Sequence, residues 1–126
     1  MRTGTVFLTA GVLGLLFGLA FLLAPAAMLP MYGLQTDTAI VFVGRFFGAA
    51  LFQVGLAFFL VRDVAEPRTR RGLALAGVIG SACGAAVALM GVLNGTTNSL
   101  GWSTVIIYAG LLLGFAGSLR AGAPAE

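Results

Sequence analysis

Residues 72–119 read GLALAGVIGSACGAAVALMGVLNGTTNSLGWSTVIIYAGLLLGFAGSL and contain no charged residue. A membrane-spanning helix needs about 20 apolar residues, so this block is too long for a single span. It is interrupted at 94–101 by NGTTNSLG, a cluster of turn-forming residues. The block therefore predicts two transmembrane helices, at about 72–93 and 103–119.

Two further spans precede this block. Residues 3–36 carry no charge and predict a helix at about 5–24, followed by a turn-rich stretch at 25–33. A second apolar run predicts a helix at about 38–61, in which Arg45 and Gln53 are the polar exceptions. The short tail 120–126 is rich in small residues and is expected to be disordered.

Hydroxyl and carboxylate side chains stand where these helices begin. Asp37 or Thr36 is expected to cap the second helix, and Ser99 or Ser103 the fourth, by accepting hydrogen bonds from free backbone amides. Lipid cannot satisfy those amides, so the caps favour helix starts at these positions.

The composition excludes a soluble protein. The 126 residues are 60% hydrophobic and 9% charged, whereas soluble domains are about 45–50% apolar and about 25% charged. The chain has no histidine and a single cysteine, Cys83. A Cys/His metal cluster, a histidine-ligated haem and a histidine-based catalytic triad are therefore excluded within one chain. We expect no catalytic residue set, no metal and no cofactor.

The amino-terminal segment has a competing interpretation. Arg2, the apolar run and APAA at 24–27 resemble a signal peptide with a cleavage site. However, the apolar run of about 20 residues exceeds the 7–15 typical of such peptides. The internal repeat described below also requires this segment, so we expect it to be the first span.

Arginine placement predicts the orientation. The arginines outside the spans all fall on one side of a four-span chain: Arg2, Arg62, Arg68, Arg70, Arg71 and Arg120. The opposite loops, 25–37 and 94–102, contain Asp37 and no basic residue. By the positive-inside rule, both termini are cytoplasmic in a multi-pass protein of the bacterial inner membrane. The net charge of +3 then reflects topology and anionic lipid, and requires no nucleic acid.

The sequence aligns with itself at a shift of 66 residues. At this shift GVLGLLFG at 11–18 falls on GVIGSACG at 77–84, and TAIVFVGRFFGAA at 38–50 falls on TVIIYAGLLLGFA at 104–116. One ungapped offset serves both segments, which indicates a tandem duplication of a two-helix unit. Each unit has two spans, so the copies keep the same orientation.

Glycines recur at seven-residue spacing and in small-xxx-small pairs on every predicted helix. Such spacing keeps one stripe of each helix against a neighbour in a left-handed bundle. The residues assigned to helix packing are Gly11, Gly14, Gly18, Gly48, Gly55, Gly77, Gly80, Gly84, Gly110 and Gly114. The alternative is that one glycine face lies on the lipid side and forms a homodimer.

Arg45 is the charged residue that most needs an explanation. It lies two turns into the second helix, roughly 10 Å below the membrane boundary. A charged side chain at the centre of a spanning helix costs about 2.5–3.5 kcal/mol of insertion free energy, and such residues usually have a partner. A structural interpretation is snorkelling or a pair with Asp37; a functional one is an anion or carbonyl site. The equivalent residue in the second unit is Leu111, so arginine is specific to one copy.

Four other polar residues are candidates for a site with Arg45. They are Tyr108, Gln53, Asp37 and Asn94, and together they would form a polar cluster opening outward if they converge. The ordinary explanations are an interfacial tyrosine for Tyr108 and a hydrogen bond to a neighbouring helix for Gln53. No acidic residue lies inside any predicted span, which excludes the familiar proton-relay mechanism of small carriers.

Several short motifs resemble a known group of proteins. LLAP at 22–25, MYGL at 31–34, and Arg45-x-x-Gly48 followed by Gly55 resemble DoxX-like and related small bacterial four-helix membrane proteins. The resemblance covers nearly the whole chain. It implies a four-helix bundle in the inner membrane, and in some members a role as membrane subunit of oxidoreductase or thiol-stress complexes.

The sequence favours a non-catalytic accessory or membrane subunit that acts through helix packing in the lipid bilayer, with a membrane protein or a second copy as partner. The first alternative is a binder, or cofactor-free enzyme of the isomerase or cyclase type, for a lipophilic molecule. In it Arg45 polarises a carbonyl or holds a carboxylate, with Tyr108 as donor and Asp37 as base. The second alternative is an oligomeric channel or carrier.

Overall fold

The computed structural model describes residues 3–121. These residues form five helices and no strand: α1 (Thr3–Leu23), α2 (Pro25–Met31), α3 (Thr38–Leu60), α4 (Pro67–Leu93) and α5 (Gly101–Ala121). All except α2 are long and apolar enough to cross a membrane, which gives four candidate spans. The protein therefore has an all-α, multi-pass membrane fold, as the apolar blocks predict.

Helix α4 begins earlier than its apolar block. It starts at Pro67 rather than near residue 72, because the Glu66 carboxylate accepts hydrogen bonds from the amides of Arg68 (2.9 Å) and Thr69 (2.8 Å). Proline suits the first helical position, since its missing N–H would be unpaired there anyway. The Thr69 hydroxyl, followed by the two amides, lowers the pKa of Glu66. The first turn of α4 is thus charged and solvated.

The other helix ends also refine the sequence boundaries. Asp37 caps α3 by accepting a hydrogen bond from the Ile40 amide at 3.0 Å, as predicted. Ser103 lies inside α5 and donates its hydroxyl to the Leu100 carbonyl, so it does not cap that helix. Helix α5 extends through Arg120 to Ala121, and residues 122–126 of the predicted disordered tail lie outside the described residues.

The stretch predicted as turns at 25–33 is largely helical, and that prediction was wrong. Helix α2 begins at Pro25, again at a position where proline is tolerated, and ends at Met31. Leu29 is buried, and its side chain lies against α3 where Gly44 has no side chain of its own. Gly33, with φ of +77°, then turns the chain toward α3.

The spans are arranged as two helical pairs. Helix α1 packs along α3, α4 packs along α5, and the two pairs meet where α1 touches α5. The predicted two-helix units therefore correspond to two antiparallel hairpins. We call the end that holds Thr3 and Ala121 the terminal end, and the opposite end the loop end.

The first pair is held by direct backbone contact. A Cβ atom placed on Gly14 would lie 2.6 Å from the Gly55 Cα, and one on Gly11 would lie 2.7 Å from the Phe59 nitrogen. Gly18 and Gly48 likewise face backbone atoms of the partner helix. Small residues permit this approach, which gives the van der Waals contact that stabilises helix pairs in lipid.

The second pair fills its glycine positions with aromatic rings instead. The Phe115 ring lies over Gly77, where a Cβ atom would come within 2.5 Å of it, and the Tyr108 ring lies over Gly84. A Cβ atom placed on Gly114 would make only ordinary contact with Val6 of α1, at 3.4 Å. Gly80 and Gly110 have no such neighbour within 4 Å among the described residues.

The two pairs are joined at both ends. At the terminal end Phe7, Phe58 and Phe115 form an aromatic cluster with ring centroids 5.2–6.1 Å apart. At the loop end Asn98 donates from Nδ2 to the Met31 carbonyl (3.1 Å) and from its backbone amide to the Tyr32 carbonyl (3.0 Å). Tyr32 and Asn98 are separated by the repeat offset of 66, so equivalent loop positions meet.

Candidate functional site

Arg45 lies beside the end of the first span. Its side chain is exposed, and its Nη1 donates a hydrogen bond to the Leu22 carbonyl at 3.0 Å. Leu22 is in the last turn of α1, where carbonyl groups have no partner within the helix. The guanidinium therefore caps the carboxyl-terminal end of α1 from the neighbouring helix α3.

The carbonyl is free because the chain breaks at Pro25. Pro25 has no N–H to donate to the carbonyl of Phe21, four residues earlier, and its ring displaces the preceding turn, so the Ala26 amide does not reach the Leu22 carbonyl. The backbone bonds resume at Ala24, whose carbonyl accepts from the amides of Ala27 and Met28, both at 3.1 Å. Within residues 3–121 no backbone amide bonds to Leu22, so Arg45 supplies the missing donor.

The residues around this break pack closely. Gly48 faces the Leu22 nitrogen, and the position of a Gly44 Cβ lies 3.7 Å from the Pro25 ring. Pro25 is fully buried. We call Leu22, Pro25, Gly44, Arg45 and Gly48 the proline-break site. It brings together sequence motifs that are about 20 residues apart in the chain.

The second unit has neither the break nor the arginine. Gly91 stands where the repeat would place Pro25, and Leu111 stands where it would place Arg45. Helix α4 accordingly runs without interruption from Pro67 to Leu93. Arginine is therefore present in the copy that has a free carbonyl to cap.

Asp37 and Asn94 have local partners. Asp37 accepts the Ile40 amide and forms no ion pair with Arg45, although both lie in the described part of the chain. The Asn94 side-chain oxygen accepts from the Thr96 amide (3.1 Å) and the Thr96 hydroxyl (2.6 Å). These two side chains shape a helix start and a turn.

Tyr108 and Gln53 lie elsewhere. The half-buried Tyr108 ring packs on Gly84 of α4, whereas Gln53 is exposed on α3. Among residues 3–121 no hydrogen bond links any two of Arg45, Tyr108, Gln53, Asp37 and Asn94. The structure thus gives these residues separate surroundings rather than one polar cluster.

A groove between α1 and α5 offers an apolar cavity of about 250 Å³. Its lining comprises Val6, Thr9, Leu13, Ile106, Ile107, Gly110, Leu111 and Gly114. The Thr9 hydroxyl donates to the Thr5 carbonyl at 2.8 Å within its own helix. The chemistry of this lining suits a hydrocarbon chain.

Metal-binding groups are sparse. The part of the chain that the structure describes has no cluster of three or more His, Cys, Asp or Glu residues that would hold a metal ion. Cys83 is an exposed free thiol on α4.

Sequence reasoning missed the two contacts that define this region. Neither the bond from Arg45 to Leu22 nor the bridge from Asn98 to Met31 was expected. Both acceptors are backbone carbonyls, which leave no side-chain signal. Pro25 was the available clue, because a proline near the end of a span releases carbonyls that something must satisfy.

Comparison of the chain with protein-family models, with curated proteins and with solved structures gives no match.

Proposed function

We propose that this protein is a non-catalytic membrane subunit that acts by packing its helices against a partner membrane protein. The observation that carries the proposal is a set of outward-facing glycines on the second pair. Gly80 on α4 and both Gly110 and Gly117 on α5 are exposed, and none has an atom within 4 Å of its ideal Cβ position.

Glycine destabilises a helix by roughly 0.5–1 kcal/mol relative to alanine. Exposed glycines on a spanning helix therefore indicate a role other than helix stability. In membranes small residues are enriched where two helices approach closely. The first pair uses its glycines in this way internally. The glycines on α4 and α5 are accordingly suited to a helix from another protein.

The polar side chains support the same proposal. Arg45, Asp37 and Asn94 are engaged in helix capping and a turn, so they are structural in this reading. The chain is then a scaffold whose exposed glycines on α4 and α5 contact the partner.

The orientation belongs to this proposal as well. Arg62 lies in the connection between α3 and α4, and Arg120 lies in the last turn of α5. The first turns of α4 carry Arg68, Arg70 and Arg71. We place this terminal end in the cytoplasm and the loop end, with Asp37, outside a bacterial inner membrane.

The test is purification from native membranes in mild detergent, followed by mass spectrometry. A stoichiometric protein partner is expected with the wild type. Gly80→Leu and Gly110→Leu should each remove it, because the larger side chain blocks the close approach of a partner helix, and the added Cβ has no described atom of its own chain within 4 Å. Gly110 also lines the groove between α1 and α5, so Gly80→Leu is the decisive variant. Leu75→Phe is the matched control, since Leu75 is 47% exposed on α4 and lies about 140° around the helix from Gly80.

The second candidate is a binder of a lipophilic molecule, and the observation that favours it is the apolar groove between α1 and α5. The same purification separates the two candidates. A small molecule that co-purifies in place of a protein, and is lost in Ile107→Trp, would favour the binder. A wild-type chain that carries neither would contradict both.

A further inference from the structure

Helix α3 carries an exposed seam that its own chain leaves uncovered. We define the α3 seam as the exposed residues Ala39, Val43, Phe46, Ala50, Gln53, Ala57 and Leu60. Their spacing alternates between four and three residues, the pattern of a helix that packs against another in a left-handed pair. The helix buries its opposite face, with Gly44, Gly48 and Gly55, against α1 and α2.

Gln53 is the polar member of this seam. It lies eight residues from Arg45 and nine from Arg62, or about 12–14 Å along the helix from each, so it is near the middle of the membrane. Its amide makes no hydrogen bond within residues 3–121. Hydrocarbon offers no donor or acceptor, so the amide requires a partner outside the chain.

We infer that the α3 seam binds the α3 seam of a second copy of this protein. A carboxamide donates and accepts, and therefore pairs with another carboxamide. Copies inserted in one orientation are related by a two-fold axis along the membrane normal, which places Gln53 opposite Gln53 of the second copy at equal depth. No heterologous partner is needed to supply the matching group.

The flanking residues suit such a contact. Ala50 and Ala57 lie about one turn to either side of Gln53, where small side chains let two backbones approach. The seam contains no charged residue, so two copies meet without like-charge repulsion. This inference goes beyond the proposed function, because the partner surface lies on α4 and α5 and would stay free in the dimer.

Cysteine cross-linking in native membranes tests the contact. Cys83→Ala removes the single native thiol, and Ala50→Cys or Ala57→Cys then places one thiol in the seam. Oxidation with copper phenanthroline is expected to give a disulfide-linked dimer. Leu113→Cys is the control, because Leu113 is 73% exposed near the middle of α5 but outside the seam.

Gln53→Leu tests the amide itself. It should weaken dimerisation about three- to tenfold, as judged by cross-link yield against dilution in detergent or lipid, because inter-helical side-chain hydrogen bonds in membranes have modest strength. Gln53→Leu removes no contact within the chain, so helix content and unfolding midpoint of the monomer should stay unchanged.

Three results would overturn the inference: cross-linking at Ala50 and Ala57 no greater than at Leu113, cross-linking to a different protein, or a dimer unaffected by Gln53→Leu. A failure here leaves the partner experiment with Gly80 and Gly110 intact, because that experiment concerns different helices.

Discussion

Arg45 shows how a charged residue is accommodated within a span. The carboxyl end of a helix carries partial negative charge, and a cation near it is stabilising by about 0.3–1 kcal/mol at exposed sites. Here the cation also satisfies the Leu22 carbonyl that the break at Pro25 releases. The two residues are therefore expected to act as a coupled pair rather than independently.

Arg45→Leu should lower the free energy of unfolding by about 1–3 kcal/mol, because it leaves the Leu22 carbonyl without a donor. Pro25→Ala should let α1 and α2 join as one helix, in which the Ala26 amide bonds to Leu22. In that background the loss caused by Arg45→Leu should shrink by at least half. SDS-induced unfolding in mixed micelles measures all four proteins of this double-mutant cycle.

Equal losses in both backgrounds would show that Arg45 acts on something other than the break. Arg45→Lys serves as a control for charge, because it keeps a cation near the helix end and loses the planar guanidinium.

The sequence identified the unusual polar residues of the spans, but it did not predict which groups they contact. Arg45 and Gln53 stood out because polar groups are costly in hydrocarbon. Which way each points depends on helix rotation and on where α1 ends, and composition encodes neither. Asp37 was different, since an N-cap needs only its own next turn, and Asp37, one of the two predicted caps, does accept the Ile40 amide.

Among the helices, one residue type has two different uses. Glycines of α1 and α3 allow backbone contact, whereas Gly80 and Gly110 of the second pair face outward. Both sets belong to glycine pairs four residues apart, such as Gly14/Gly18 in the first pair and Gly80/Gly84 in the second, so the sequence could not separate them. The difference arises from which neighbours the helix has.

Gly48→Ala should destabilise the protein by about 1–3 kcal/mol, because the added methyl meets the Leu22 nitrogen and lies 2.7 Å from the Phe21 carbonyl carbon. Gly110→Ala is the paired variant, and it should stabilise the isolated chain by roughly 0.5–1 kcal/mol through higher helix propensity. Unfolding midpoints in detergent distinguish the two. Similar effects from both substitutions would contradict the assigned packing.

Helix α2 is the secondary-structure element that the sequence did not predict. The two prolines and the glycine in residues 25–33 predict turns, and only the glycine lies in one. Pro25 is tolerated at the helix start, and the burial of Leu29 against Gly44 stabilises a helix too short to persist alone. The four spans, by contrast, followed from apolar length alone.

Across the whole molecule, the two helical pairs contact each other at both the terminal end and the loop end. The aromatic cluster of Phe7, Phe58 and Phe115 joins them at the terminal end. Asn98 joins them at the loop end through bonds to the carbonyls of Met31 and Tyr32. The loop-end connection is polar and exposed, so we expect it to open first.

Asn98→Ala removes the bond to the Met31 carbonyl and the acceptor for the Leu100 amide. A loss of about 1 kcal/mol should speed hydrogen exchange roughly fivefold at the amides of Gly33 and Leu34. Asn94→Ala is the control, because Asn94 bonds only within its own turn. Faster exchange at those amides in Asn94→Ala, or none in Asn98→Ala, would refute the bridge.

The cap on α1 also bears on how the protein is made. Arg45 follows Leu22 by 23 positions, so the ribosome adds the donor only after the first span has been synthesised. Until α3 enters the bilayer, the end of α1 has an unsatisfied carbonyl at the membrane boundary. The last turn of the first span therefore gains its final hydrogen bond only with α3, and the α1–α3 hairpin is the smallest unit in which that carbonyl has its donor.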